Sequence, residues 1–227
     1  MFAEGEVALP AQGMGAVSRQ LVARLRPGTL RTRAQVRQVE ASCVTLETGE
    51  RLESSAVVLA TAARAAAKLV PGLRVPESNA ACCLYFDAPQ APAVGNFLVL
   101  NGNGTGPVNE LCVPSEVNSH YAPAGRSLVS ASVLEPFSQD DATLEAAVRQ
   151  QLSGWFGAAV RDWRLLRIDR IEEALPSQPA GPFEPMAYDP QIAERLLICG
   201  DHRDLASLQG AMASGRRAAL RLTQLLS

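Results

Sequence analysis

The sequence predicts an α/β protein, mixed in its α and β content, in which a small parallel-sheet lobe is interrupted by a longer insert of mixed strands. Three observations predict it. The run AVVLAT, Ala56–Thr61, is apolar on both faces, as a strand buried inside a parallel sheet should be. A second apolar strand, Arg195–Cys199, ends in Gly200-Asp201 and leads through a short loop into a long helix, Leu205–Leu226. Between them, from about Ser78 to Pro185, alternating segments are separated by Gly, Asn and Pro turns. The changes of character near residues 76 and 190 divide the chain into two intertwined lobes: residues 1–76 with 191–227, and the insert 77–190.

In chain order, residues 1–12 read as the tail of a loop. Met14, Val17, Leu21, Val22 and Leu25 then fall at helical spacing, and Arg26-Pro27-Gly28 stops the pattern. Short strands follow at Ala34–Val39 and Cys43–Glu47, with a Thr48-Gly49 turn leading to Arg51-Leu52. An alanine-rich helix after AVVLAT ends at Pro71. In the insert, strands are predicted at Ala81–Phe86, Asn96–Asn101, Val108–Pro114 and Ser127–Leu134. Ser138-Gln139-Asp140-Asp141 has the form of a capping box for a helix reaching about Trp155, with Leu144, Ala147, Val148 and Leu152 on its buried face. A last strand, Arg164–Ile171, is followed by a solvated turn at Glu172-Glu173 and a Pro-rich loop from Pro176 to Pro190.

Composition narrows the function classes. A formal charge of -2 gives no reason to expect nucleic acid or an anionic membrane as partner. No run reaches the roughly 18 apolar residues of a membrane span, and MFAEGEVALP lacks the basic start and apolar stretch of a secretory signal. A cytoplasmic location is expected. The five cysteines include no CxxC pair and read as buried thiols rather than disulfide partners. Two histidines, His120 and His202, are too few and too isolated to complete a zinc site, so no metal is expected.

The segment richest in chemistry is LLICGDHRDLASLQGAMASGRRAA, residues 196–219. Ala206, Gly210, Ala213 and Ser214 leave one helix face nearly bare, which suits close approach of another backbone or of a flat ligand. The helix start offers unpaired N–H groups and a positive dipole for an electron-rich oxygen. Asp201, at the strand's end, is placed to accept hydrogen bonds from sugar hydroxyls. The same pattern equally serves tight helix packing. His202 reads either as a neighbour of a ligand here or, more plainly, as an exposed loop histidine.

The ordered set Gly200, Asp201, Ser207, Gly210, Ala211, Ser214 and Gly215 resembles the carboxy-terminal flavin signature of the amine oxidase, phytoene desaturase and protoporphyrinogen oxidase superfamily. Pro10-Ala11-Gln12-Gly13-Met14-Gly15 is similar to that superfamily's P-x-G-GM segment, and Val36, Val39, the T-G turn and VVLAT follow in the same order. The resemblance spans essentially the whole chain. It implies a partial FAD-binding Rossmann-like lobe lacking its N-terminal βαβ unit, with the insert as a mixed-sheet substrate domain. Residue by residue, it implies that the backbone of Val36 touches the adenine and that Asp201, after Gly200, binds the ribityl or pyrophosphate region. It places backbone amides near Gln209, Gly210 and Ala211, after Ser207, at the pyrimidine end of the flavin, and Gly13 and Met14 along the flavin's edge.

The chain departs from the superfamily in having no strand, G-x-G-x-x-G loop and helix to grip the pyrophosphate. Asn101-Gly102-Asn103-Gly104-Thr105-Gly106 is Gly-rich, but Pro107 and a strand follow, so it reads as a hairpin turn. The resemblance therefore implies an FAD-dependent oxidoreductase present as its carboxy-terminal portion, acting on an apolar or amine-like small molecule. An exposed sheet edge and an N-terminal partner subunit or a homodimer are expected. The alternative is a non-catalytic binding protein, or one subunit of a split flavoenzyme. Tyr85, Phe86, Phe97, Tyr121, Trp155 and Trp163 read as core or as cavity lining, and no catalytic side chain is identified.

Overall fold

The structure is a computed structural model that describes residues 7–134, 139–178 and 188–227. The chain divides into two compact units: the described residues of Met1–Leu30 with Ala80–Glu172, and those of Arg31–Asn79 with Glu173–Ser227.

The first unit is built on a five-stranded sheet. Its strands are β5 (Ser78–Ala88), β6 (Val99–Leu100), β7 (Val108–Cys112), β8 (Ser127–Val133) and β9 (Arg164–Pro176), in the order β6-β7-β8-β5-β9. Strict alternation puts Cys82, Leu84, Phe86 and Ala88 on one face of β5, opposite Val133, Ala131, Val129 and Ser127 of antiparallel β8. This face is covered by Leu144, Val148 and Leu152 of helix α4 (Asp141–Phe156), with Trp163 closing the cluster. Each such aliphatic side chain contributes about 1.5–3 kcal/mol by leaving water. Helix α1 (Gly15–Val22) belongs to this unit and buries no residue.

In the second unit, β1 (Val36–Val39), β2 (Cys43–Leu46) and β3 (Arg51–Glu53) form an antiparallel sheet in that order. A separate sheet joins β10 (Gln191–Ala193), β11 (Leu196–Ile198) and β4 (Val57–Leu59), with β11 parallel to β4. Val57, Leu59, Leu196 and Ile198 bury against Ala66 of α2 (Ala63–Leu69). Helix α5 (Leu208–Leu226) closes the chain.

Several expectations need correction. The strand predicted at Asn96–Asn101 is reduced to Val99–Leu100, and the Gly-rich stretch after it turns the chain into antiparallel β7. Asn101 Nδ2 donates to the carbonyls of Thr105 and Val108 there, 2.9 Å to each. Glu172 and Glu173 are not a turn: β9 runs on to Pro176, and Glu173 pairs with Arg64 at 2.7 Å. As β9 ends its sheet, charged side chains are tolerated along it. The proposed Ser138 cap lies outside the described residues, as does most of the Pro-rich loop. The N-cap of α4 is Asp140, whose carboxylate accepts from the Thr143 N–H at 2.9 Å. Of the cysteines, Cys43, Cys82 and Cys199 are buried and Cys83 and Cys112 half-buried, all as free thiols. Among the described residues, no helix is long and apolar enough to cross a membrane.

Candidate functional site

The second unit brings the Gly-Asp segment and the start of α5 into one connected piece. Strand β11 ends where the Cys199 N–H donates to the Leu59 carbonyl at 2.8 Å. Gly200 follows at φ +151°, a conformation that L side chains rarely adopt, and its N–H donates to Ser214 Oγ at 3.2 Å. Ser214 is buried, so this residue of the supposedly bare helix face instead clasps the strand end. Asp201–Arg203 form one 3-10 turn, closed by the Arg203 N–H on the Gly200 carbonyl at 3.1 Å.

The loop from Asp204 to Ser207 is braced by two side chains that the sequence reading did not single out. Gln178 donates to the Asp204 carbonyl at 2.8 Å and accepts from the Ala206 N–H at 3.0 Å. Arg217 pairs with the Asp204 carboxylate and donates to the Arg203 carbonyl at 3.1 Å. Burial alone would raise the Asp204 carboxyl, but the Leu205 N–H and Arg217 outweigh it and hold the group below its ordinary value. The i, i+13 spacing of this ion pair carries no local signature, which is why it was illegible in the sequence.

Helix α5 opens on Ser207, whose Oγ accepts from the Gly210 N–H at 3.0 Å. The Ala211 N–H is engaged by the Ser207 carbonyl at 2.9 Å. Of the amides expected near Gln209, Gly210 and Ala211, two are thus already used within the helix start. Those of Leu208 and Gln209 have no protein acceptor among the described residues, and Gln209 is exposed. The room at Gly210 is also accounted for: a Cβ there would run into the Leu205 carbonyl. This small residue serves the approach of the chain's own loop.

His202 departs from expectation. It is 6% exposed, not a solvated loop residue, and neither ring nitrogen has a hydrogen-bond partner among the described residues. Its Nδ1 stands 3.8 Å from Asp201 Oδ1. Burial pushes its pKa below the usual 6.5, the Asp201 charge opposing and the Arg203 charge adding to that shift. Below pH 6.5 the unfolded chain therefore binds a proton that the folded chain resists. The associated stability is complete above that pH and falls as pH drops through the depressed folded value. The thermal midpoint is expected to decline from pH 7.5 to pH 5.5, and less so in His202→Phe. Equal slopes in both proteins would contradict the assignment.

The other expected residues lie elsewhere. Val36 sits half-buried on edge strand β1, opposite Leu46, in a separate sheet of the second unit. Gly13, at φ +76°, makes a tight turn with its N–H on the Pro10 carbonyl, and Met14 caps α1 with its side chain half exposed. Both belong to the first unit, where Pro10, Gln12, Ala16 and Val17 line a depression of about 480 Å³.

Comparison with known proteins then decides the family. The description "Flavin containing amine oxidoreductase" matches residues 1–223. The chain belongs to this family. A sequence comparison with curated proteins gave no match. Among solved structures, a provisionally assigned protoporphyrinogen oxidase from Exiguobacterium sp. 255-15 superposes with a TM-score of 0.75 at 16% identity, over 96% of this chain and 52% of that one. Reduced UDP-galactopyranose mutase gives 0.72 at 15%, over 94% and 52%. Cyclohexylamine oxidase from Brevibacterium oxydans IH-35A gives 0.67 at 12%, over 94% and 53%. At these identities the likeness is one of fold, and the chain spans about half the length of the structures it matches. The fold is that of a partial flavoenzyme domain of mixed helix and strand content.

Proposed function

We propose that this chain is the part of an FAD-dependent oxidoreductase that holds the ribityl and pyrimidine portions of the flavin, and that it acts on an apolar or amine-like small molecule in the cytoplasm. The observation that carries this reading is the start of α5, where the N–H groups of Leu208 and Gln209 have no protein acceptor among the described residues, next to the Asp201 loop. In a family whose members contain flavin, such donors suit the pyrimidine oxygens, where negative charge grows on reduction. The Asp201 side chain is 32% exposed and, as a carboxylate, only accepts hydrogen bonds. It therefore suits the ribityl hydroxyls better than the pyrophosphate, itself an anionic acceptor.

Bound FAD would supply the electron chemistry; this chain's residues would bind and orient it. Ser207 and Gly210 shape the helix start, Gly200 sets the turn that presents Asp201, and Ala211 begins the helical ladder. The places of Val36 beside the adenine and of Gly13 and Met14 beside the flavin rest on the resemblance alone. A partner is part of the proposal. The Val57 N–H donates to Arg195 and the Leu59 carbonyl accepts from Cys199, so β4 turns these residues toward β11 and the alternate residue Val58 toward its other edge. Since β4 ends its sheet among the described residues, that edge suits a strand from an N-terminal partner subunit or a second copy.

Titration of FAD fluorescence against the purified chain and its Asp201→Ala variant tests the reading. Loss of a hydrogen-bonding carboxylate is expected to weaken binding by about ten- to a hundredfold. Equal affinities in two equally stable proteins would overturn it.

A further inference from the structure

The His202 ring is buried to within 1% of its side-chain surface, yet both of its nitrogens lack a partner among the described residues. An unsatisfied buried group of this kind carries a cost that is relieved when a partner closes on it. The ring is also held in a made-to-fit space. A Cβ at residue 200 would lie 2.6 Å from Nδ1 and from Cε1, so the absence of a side chain at Gly200 is what admits the imidazole. Asp201 Oδ1 stands 3.8 Å from Nδ1, slightly beyond hydrogen-bonding reach. The Asp201 carboxylate remains partly open to solvent while its neighbour is enclosed.

We infer that His202 is a positioning residue for Asp201: its Nδ1–H closes on Oδ1 and fixes the carboxylate so that Oδ2 is presented outward to a hydroxyl-bearing ligand. A neutral imidazole has one N–H to give, and the proposed pairing requires it on Nδ1. Held at one oxygen, Asp201 loses rotational freedom before the ligand arrives, which lowers the entropy lost on binding. Burial keeps the ring toward its neutral form; of the facing charges, Asp201 favours a charged ring and Arg203 opposes it. The ligand half of this inference rests on the flavin reading above, but the His202–Asp201 pairing does not.

The test has two arms. With only two histidines in the chain, a His120→Gln background leaves a single imidazole for side-chain 1H–15N NMR of the ligand-free protein. The expected spectrum is a neutral Nδ1–H tautomer whose Nδ1 resonance moves in Asp201→Asn. A Nε2–H tautomer, or a signal unmoved by Asp201→Asn, would overturn the inference whether or not FAD binds. In the second arm, His202→Phe is expected to weaken FAD binding about tenfold, whereas His202→Asn, which keeps a donor near Nδ1, stays within about threefold of the parent. Equal weakening by both variants, or none by His202→Phe, would also overturn it. Failure of the unaltered chain to bind FAD would count against the proposed function and leave the decision to the NMR arm.

Discussion

Gly210→Ala is expected to lower the thermal midpoint sharply, whereas Gly215→Ala, further along the same helix, leaves it unchanged or raises it. A methyl group at 210 would meet the carbonyl oxygen of Leu205, and its carbon at 2.8 Å. These are backbone atoms of a loop tied down by Gln178 and Arg217, so they cannot move aside as a flexible side chain would. Overpacking of this kind costs about 1–3 kcal/mol or more, which corresponds to roughly 2–12 °C in a chain of this size. The Cβ of residue 215 would meet nothing within 4 Å. There the substitution gains helix propensity, up to about 1 kcal/mol. Thermal unfolding of the two variants checks the contrast, and similar midpoints would contradict the loop geometry at the helix start.

Phe86→Ala is expected to be the most destabilising single substitution in the first unit. The ring is fully buried on β5, its centroid 6.1 Å from that of Trp163 and 5.0 Å from the Arg149 guanidinium carbon. Truncation removes an aromatic contact and a cation–π partner at once, and it leaves a cavity between sheet and helix. Such changes cost about 3–5 kcal/mol. Phe97, 74% exposed, supplies the comparison. Phe97→Ala is expected to stay within about 0.5 kcal/mol of the parent. Denaturant titration reads both, and a mild effect at Phe86 would contradict the core described for this unit.

What the sequence revealed follows from how local the controlling physics is. Val57–Leu59 could be read as a buried parallel strand because both faces of the run are apolar. The face of α4 was equally legible, since Leu144, Val148 and Leu152 repeat at helical spacing. The burial of His202 could not be read, because it depends on a missing Cβ two residues earlier and on the packing of α5 around the turn. Gly210 shows the limit most clearly. Its smallness was visible, but whether a ligand or the chain's own Leu205 carbonyl fills the space is a property of the folded loop. Likewise the Glu172-Glu173 pair signalled polarity, while the continuation of β9 through it is decided by the strand's place at the edge of its sheet. At the candidate site, Asp201, Ser214 and the start of α5 were singled out by pattern, though not the hold of Ser214 on the Gly200 N–H, whereas Gln178 and Arg217 act from a distance along the chain and left no local mark.

The central claim, that the Asp201 loop and the start of α5 receive a flavin, is tested most directly by backbone amide NMR of the chain during stepwise addition of FAD. The account predicts saturable shifts concentrated at Asp201, Leu208 and Gln209, detectable even if binding is weak without a partner. Gly210 and Ala211, whose N–H groups are already engaged, should follow more weakly. Spectra in which these resonances stay fixed while FAD is raised to large excess, or in which the shifts fall elsewhere in the chain, would contradict it.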